Sequence, residues 1–431
     1  MMVTLNKYII SLGRHFLTMN FRGRELTQLA IAISSLTGVL LVIVITAMYG
    51  VAVSPDSLAY LSAAKSLLEG EGFINSGGGL YINWPPLFPM ILAAPGSLGI
   101  DGVTAARFIN AFAFGGIVFG AGQLFRAQLR SNLLVIVGTV SILLSPVLLR
   151  ISIKVWSEPL FTLFAVLFVF FLARFINEKR MTFLLIITIL AGLATLQRYI
   201  GVTLILAGWV SIAFAMRKVD LQARVRYLIL FGLFSVIPIG VWIGRNYALT
   251  STLTGGRNNA HHTIPSSVNY TAETLVSWLI PYSVPFAAAL VIGLVSWLAL
   301  ISIVVWVQLK HEKKLNFRLA KLWPVVSFLL IYLFVLILIS PRVFDRVEFR
   351  LLSPLYIVFI LLWLIALEAA ARSLNRIGKG NILGNILVAG AVTLWVASLA
   401  GQFLSLDLRQ QAVTVATVLK SDALSMVPSI G

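Results

Sequence analysis

The stretch LAIAISSLTGVLLVIVITAMYGVA, Leu29–Ala52, decides the fold, because it runs for 24 residues without one charged side chain. About 20 helical residues cross a hydrocarbon core. In lipid a helix satisfies its own backbone groups, which an open chain does not. Ten more apolar runs follow, near 105–125, 133–150, 158–176, 181–197, 200–216, 227–245, 286–309, 322–340, 351–371 and 382–402. The chain therefore reads as an all-α polytopic membrane protein with about eleven transmembrane helices, in a range of about 10–13. Only Gln197-Arg198-Tyr199 separates 181–197 from 200–216, and 86–100 reads as a further short or re-entrant apolar segment.

Composition agrees. The 431 residues are 59% hydrophobic and 11% charged, where a soluble domain carries roughly 25% charge. Mean hydropathy is +0.97. A net charge of +18 would suit nucleic acid, yet the basic residues sit at the ends of apolar runs rather than in a tract. That pattern holds loops on the cytoplasmic side of a membrane and excludes nucleic acid as the expected partner. With no cysteine, disulfides, thiolate nucleophiles and Cys-ligated metals are also excluded.

With the N-terminus inside, 21 of the 33 Lys and Arg residues fall on the cytoplasmic side, against 12 outside. The expected location is an inner, cytoplasmic membrane, crossed many times. Residues 1–25 read as a cytoplasmic, mildly amphipathic leader and 26–403 as one transmembrane domain. The outer loops then lie at 53–104 and 245–285, and 404–431 forms an outer tail. Loops of that length in a compact protein usually carry function.

Within the first loop, Ser54-Pro55-Asp56-Ser57 opens a helix. Ser54 suits the N-cap, Pro55 the first turn, and Asp56 the positive end of the dipole. This juxtamembrane helix is expected to run through Leu68 and stop at Gly70 or Gly72, with Asp56, Tyr60, Ala63 and Leu67 on one face. Gly77-Gly78-Gly79 is a turn, not a phosphate loop, since neither a strand–helix context nor Lys-Ser/Thr follows.

Asp56 and Tyr60 after the first span, Ala63-Ala64, Gly70–Phe73 and Trp84-Pro85-Pro86-Leu87 together resemble the GT-C superfamily of integral-membrane glycosyltransferases. Protein mannosyltransferases and the lipid A aminoarabinose transferase belong to it, and its members use polyprenyl-phosphate sugars. Further matches are Trp156–Phe161, Gln197-Arg198-Tyr199, Arg245-Asn246-Tyr247 and Arg346–Pro354. The resemblance is spread over most of the chain. It implies a GT-C-like fold with Asp56 as the catalytic carboxylate of the first outer loop and Glu158 as a second outer acid opening a later span. The implied reaction moves a sugar from a polyprenyl-phosphate carrier to a hydroxyl of a lipid, glycan or protein outside the membrane, with inversion. Where many members carry two adjacent acids, Asp56 stands between Pro55 and Ser57.

Such chemistry needs a base for the acceptor hydroxyl, cations for the departing phosphate, and room for the prenyl tail. Asp56 supplies the base, or else only stabilises its helix N-terminus. Arg198, Arg245, Arg257, Arg346 and Arg350 are the candidate cations, since guanidinium forks match phosphate oxygens. The competing role is snorkelling towards headgroups, and Asp345 and Glu348 compete for Arg346 and Arg350. Glu158 either serves substrate or pairs with Lys154 four residues earlier. Tyr60, Trp84 and Tyr81 are candidates to face the sugar, or to anchor the interface as aromatic residues do.

The lipid-phosphate sugar is a co-substrate, and no cofactor is assigned; a divalent metal is left open without a motif to support it. His261 and His262 are adjacent and so face opposite ways in extended backbone, which makes them poor joint metal ligands. Expected partners are membrane lipids, the polyprenyl-linked donor and the acceptor. A secondary transporter or lipid flippase is the rival reading, and a non-catalytic membrane scaffold a third.

Overall fold

The structure, a computed structural model, describes residues 21–256, 263–280, 285–311, 319–342, 345–377 and 382–404. Fifteen α-helices stand among the described residues, and the β pairing among them is limited to two isolated bridges. Helix α1 (Phe21–Tyr49) holds the charge-free stretch as far as Tyr49 and begins within the expected leader. Next come α2 (Pro55–Leu68), α3 (Leu87–Gly96), α4 (Gly102–Gln128), α5 (Asn132–Leu143) and α6 (Pro146–Ser152). The chain continues through α7 (Glu158–Glu178), α8 (Met181–Gln197), α9 (Val202–Ala215), α10 (Leu221–Thr250) and α11 (Ile264–Ser277). It ends in α12 (Phe286–His311), α13 (Leu319–Ile339), α14 (Phe349–Ile377) and α15 (Ile382–Leu404). The expected tail, beyond Leu404, lies outside the described residues.

Seven of these helices are long and apolar enough to cross a membrane, and the bent pair α5–α6 makes an eighth. The other three expected spans are present as the apolar helices α8, α9 and α12. At 17 and 14 residues, α8 and α9 rise only about 25 and 21 Å, short of the ~30 Å core. Among the described residues, length and composition thus establish seven or eight spans, and the three shorter apolar helices stand where the remaining expected spans lie.

Lipid solvation explains the surface. Leu29, Ile33, Leu36 and Leu40 of α1 are all exposed, spaced by three or four residues on one stripe. Where helices meet, small residues let backbones approach. A Cβ on Gly115 of α4 would come within 2.9 Å of the Ser35 carbonyl oxygen of α1, and the Ser35 hydroxyl donates to the Gly115 carbonyl at 2.9 Å.

The expected span 133–150 is broken. Pro146 has no N–H and its ring would strike the carbonyl four residues back, so α5 stops and α6 restarts at an angle of 42°. Ser145 caps the new helix, its hydroxyl accepting from the Leu148 N–H at 3.3 Å. The break steers the chain to Ile153–Val155, which clips onto Ala52 after α1. The Ala52 N–H donates to the Ile153 carbonyl at 3.0 Å, and the Val155 N–H to the Ala52 carbonyl at 2.9 Å. Asn110 of α4 donates to the Lys154 carbonyl at 2.6 Å, fixing the same clip from below.

The first long loop is a folded layer. Tyr60, Ala63 and Ala64 of α2 pack with Tyr81, Phe88 of α3, Ala105, Ala106 and Trp242 in a second buried cluster above the main helical core. Helix α2 has the expected bounds, and Gly70 beyond it takes φ +79°. The second loop begins later than expected, because α10 continues past Arg245 to Thr250.

Between α8 and α9 the chain turns in three residues, Tyr199–Gly201, with Arg198 in an extended conformation before them. Gly201 is obligatory there, since a Cβ would lie 2.4 Å from the Ala194 carbonyl oxygen. Gly201→Ala is therefore expected to cost about 1–3 kcal/mol, seen as earlier thermal melting in detergent. Unchanged melting would show that the turn relaxes freely.

Candidate active site

Asp56 sits in the first turn of α2 because the helix start is locally determined. The Ser54 N–H donates to the Ser57 hydroxyl at 2.9 Å, and the Ser54 hydroxyl accepts from the Ser57 N–H at 3.4 Å. Trp156 extends this cap, its indole N–H donating to the Ser54 hydroxyl at 2.7 Å. The clip between Ala52 and Ile153–Val155 thereby sets Asp56 beside the start of α7, where Glu158 is the first residue.

Arg350, from the first turn of α14, joins three carboxylates. Its Nη2 donates to Asp56 Oδ2, its Nε to Glu158 Oε1, and its Nη1 to Asp345 Oδ2 at 2.9 Å. Arg198 Nη1 reaches Glu158 Oε1 at 2.5 Å and donates to the Ser157 hydroxyl at 3.1 Å. The guanidinium of Arg350 also lies over the Trp156 ring, 4.2 Å from its centroid. The Glu158 side chain is only 2% exposed, against 25% for Asp56 and 44% for Asp345. Glu158 thus stands behind the two arginines while the two aspartates face outward.

The Lys154–Glu158 pairing considered from spacing is absent among the described residues. An i,i+4 pair needs continuous helix, and α6 ends at Ser152. Lys154 instead lies over Trp156 at 4.3 Å. Burial, Arg350 and Arg150 lower its pKa, and Glu158 opposes them.

A cavity of about 400 Å³ opens against this cluster. Asp56, Asp345, Arg198 and Arg350 line its charged side, and Tyr60 and Trp84 its aromatic side. Ile200, Leu336, Ile339 and Leu351 form an apolar wall contributed by the α8–α9 turn, α13 and α14. Tyr60 packs edge-on to Trp84, with ring centroids 6.1 Å apart, and its hydroxyl lies 3.2 Å from that of Ser157. Burial, then the charge of Asp56, raises the Tyr60 pKa, so the phenol stays a neutral hydrogen-bonding group.

The remaining sequence candidates lie elsewhere. Arg245 stacks on Trp242 at 4.6 Å and donates to Asn246 Oδ1 at 3.0 Å. Arg346 faces Tyr270 at 5.3 Å and Glu348 at 3.9 Å. It precedes α14, which begins at Phe349, so it does not share a helical face with Arg350. Tyr81 is buried in the second cluster. Arg257, His261 and His262 lie outside the described residues. Among the described residues no three His, Asp or Glu gather as a metal site.

Spacing did not single out Asp345 or Arg342, yet both line the cavity. The signal available was the charged run after α13, from which only Arg346 and Arg350 had been chosen. Burial raises the Asp345 pKa, Arg350 opposes this, and Asp56 and Glu158 add to it. As pH climbs past the ordinary carboxylate value near 4, the unfolded chain releases this proton while the folded protein keeps it. Wild-type stability then falls with pH until folded Asp345 ionises. Asp345→Asn is expected to lack that decline, so melting temperatures of the two proteins should diverge as pH rises from about 4. Parallel curves would overturn the assignment.

Compared with known proteins, no family model and no curated protein matches the chain. Among solved structures, ArnT from Cupriavidus metallidurans bound to undecaprenyl phosphate is similar at 14% identity. The match has a TM-score of 0.52 and covers 91% of this chain and 75% of that one. The apo state of the same protein matches at 12% identity, with a TM-score of 0.53 and coverage of 91% and 81%. The chain therefore has an ArnT-like, all-helical membrane fold, which fits the fold that the sequence resemblance implied.

Proposed function

We propose that the protein is a membrane glycosyltransferase that moves a sugar from a polyprenyl-phosphate carrier to a hydroxyl of a lipid, glycan or protein. The observation that carries this reading is the single cavity in which Asp56, Arg198 and Arg350 meet an apolar wall. A lipid-linked phosphosugar presents the same three chemistries: a reacting carbon, an anion and a hydrocarbon tail. The likeness to ArnT, whose structure holds undecaprenyl phosphate, supports the carrier class.

In the proposed reaction Asp56 removes the proton of the acceptor hydroxyl as that oxygen bonds to the anomeric carbon. The bond from that carbon to the phosphate oxygen breaks on the opposite face. Its electron pair stays with the phosphate, and the configuration inverts. Preorganised cations stabilise the charge that develops on the leaving group. Arg350 has a second part: by pairing with Asp56 it holds the carboxylate aimed at the cavity. Glu158 acts as a positioning residue, orienting Arg198 and Arg350 from behind.

The Lys and Arg distribution supports a reading in which this chemistry lies on the outer face of a cytoplasmic membrane. Asp56, Glu158, Arg198, Asp345 and Arg350 were all assigned to the same side from Lys and Arg counts, and they gather at one end of the bundle. Glu368, 18 residues along α14 from Arg350, instead accepts from the Arg130 and Ser131 N–H groups of a loop assigned inside. The test is incubation of purified protein in detergent with radiolabelled undecaprenyl-phosphate sugar and a lipid extract. A covalent glycosylated product is the expected result. Movement of substrate across vesicles without any product would favour the transporter reading instead.

A further inference from the structure

We propose that Arg342, which the sequence reading passed over, is the cation that takes the donor's phosphate, an inference resting on the glycosyltransferase reading. The two obvious arginines are already engaged. Each nitrogen of Arg350 faces a different carboxylate, and Arg198 is held by Glu158 and the Ser157 hydroxyl. Asp56, Glu158 and Asp345 set three carboxyl groups against the two guanidinium groups of these arginines. Every guanidinium nitrogen of Arg350 that donates here is therefore already paired before a phosphate arrives.

Arg342 alters the balance. It ends the short 3-10 turn Ser340–Arg342 after α13, is exposed, and lines the same cavity. Among the described residues its guanidinium makes no hydrogen bond, ion pair or ring contact. It stands beside Ile339 and Leu336 of the apolar wall, where a lipid tail would place its phosphate. Interfacial snorkelling explains an arginine at a span end, but here the same arginine lines one cavity with Asp56, Asp345, Tyr60 and Trp84.

The reaction increases the demand on this cation. The donor is a phosphodiester with one negative charge, and cleavage leaves a monoester that carries up to one more. A guanidinium contact to it gains strength as the bond breaks, which is the condition for raising turnover as well as affinity. Lys154 cannot substitute, because it is turned onto Trp156 and is not a cavity-lining residue.

The test compares wild type, Arg342→Gln and Arg342→Lys, in detergent, with undecaprenyl phosphate and its uncharged alcohol undecaprenol as probes. Arg342→Gln is expected to weaken undecaprenyl phosphate binding about 10- to 100-fold, as for a lost charge-assisted hydrogen bond. It should leave undecaprenol binding and the melting temperature of the free protein unchanged. Arg342→Lys should recover part of the phosphate affinity, since it restores the charge without the fork. Equal phosphate affinity in wild type and Arg342→Gln overturns the inference alone. Failure of wild type to prefer the phosphate over the alcohol overturns the carrier reading on which it rests.

Discussion

Asp56→Asn is expected to reduce sugar transfer by a factor on the order of 10³, within the span typical of a lost general base. The substitution keeps the side-chain shape, and the amide oxygen still accepts from Arg350, so insertion and melting should hold. Its Ser54 cap is made by Ser57 rather than by Asp56, so the start of α2 does not depend on the charge. The measurement is product formation from labelled donor at saturating acceptor, alongside melting of the same preparation. Near-normal turnover would remove Asp56 from the chemistry. It would leave the carboxylate as a partner of Arg350 only.

Glu158→Gln tests the other half of the cluster, and its largest effect falls on stability. Among the described residues Glu158 is the one carboxylate that Arg198 contacts, and the two side chains are 2% and 18% exposed. Neutralising one partner of a buried pair leaves an uncompensated charge and typically costs about 3–5 kcal/mol. Arg350 is buffered by Asp56 and Asp345, so the loss centres on Arg198 and the α8–α9 turn. Activity should fall with it, because Arg198 and Arg350 are aimed by the same Glu158 oxygen. Melting within about 1 kcal/mol of wild type, the range of exposed pairs, would show that the cluster does not hold the fold. Glu158 would then be available to act on substrate directly.

These two substitutions separate what was legible locally from what was not. The juxtamembrane helix was readable residue by residue, since caps, proline and glycine act within a few positions, and α2 starts and stops where they indicate. The breaking of 133–150 was also written locally, in Pro146, but hydropathy averages over a window and passes across it. The choice between Arg346 and Arg350 was not local. Both lie in one charged run, and only the start of α14 at Phe349 gives them different surroundings. Spacing likewise offered Lys154 to Glu158, and the break in helix between them removed it.

Sequence by itself determined that this chain lives in a membrane, which residues form its apolar helices, and that Asp56 opens a helix just beyond the first. The physical reason is that a bilayer forces each crossing segment to satisfy its own backbone, so the constraint is contained in windows of about 20 residues. Tertiary structure alone decided which charges meet. Asp56 and Arg350 are 294 positions apart, and Glu158 and Arg350 are 192 apart. An ion pair across such distances depends on how whole helices pack, and nothing in the neighbourhood of either residue encodes its partner.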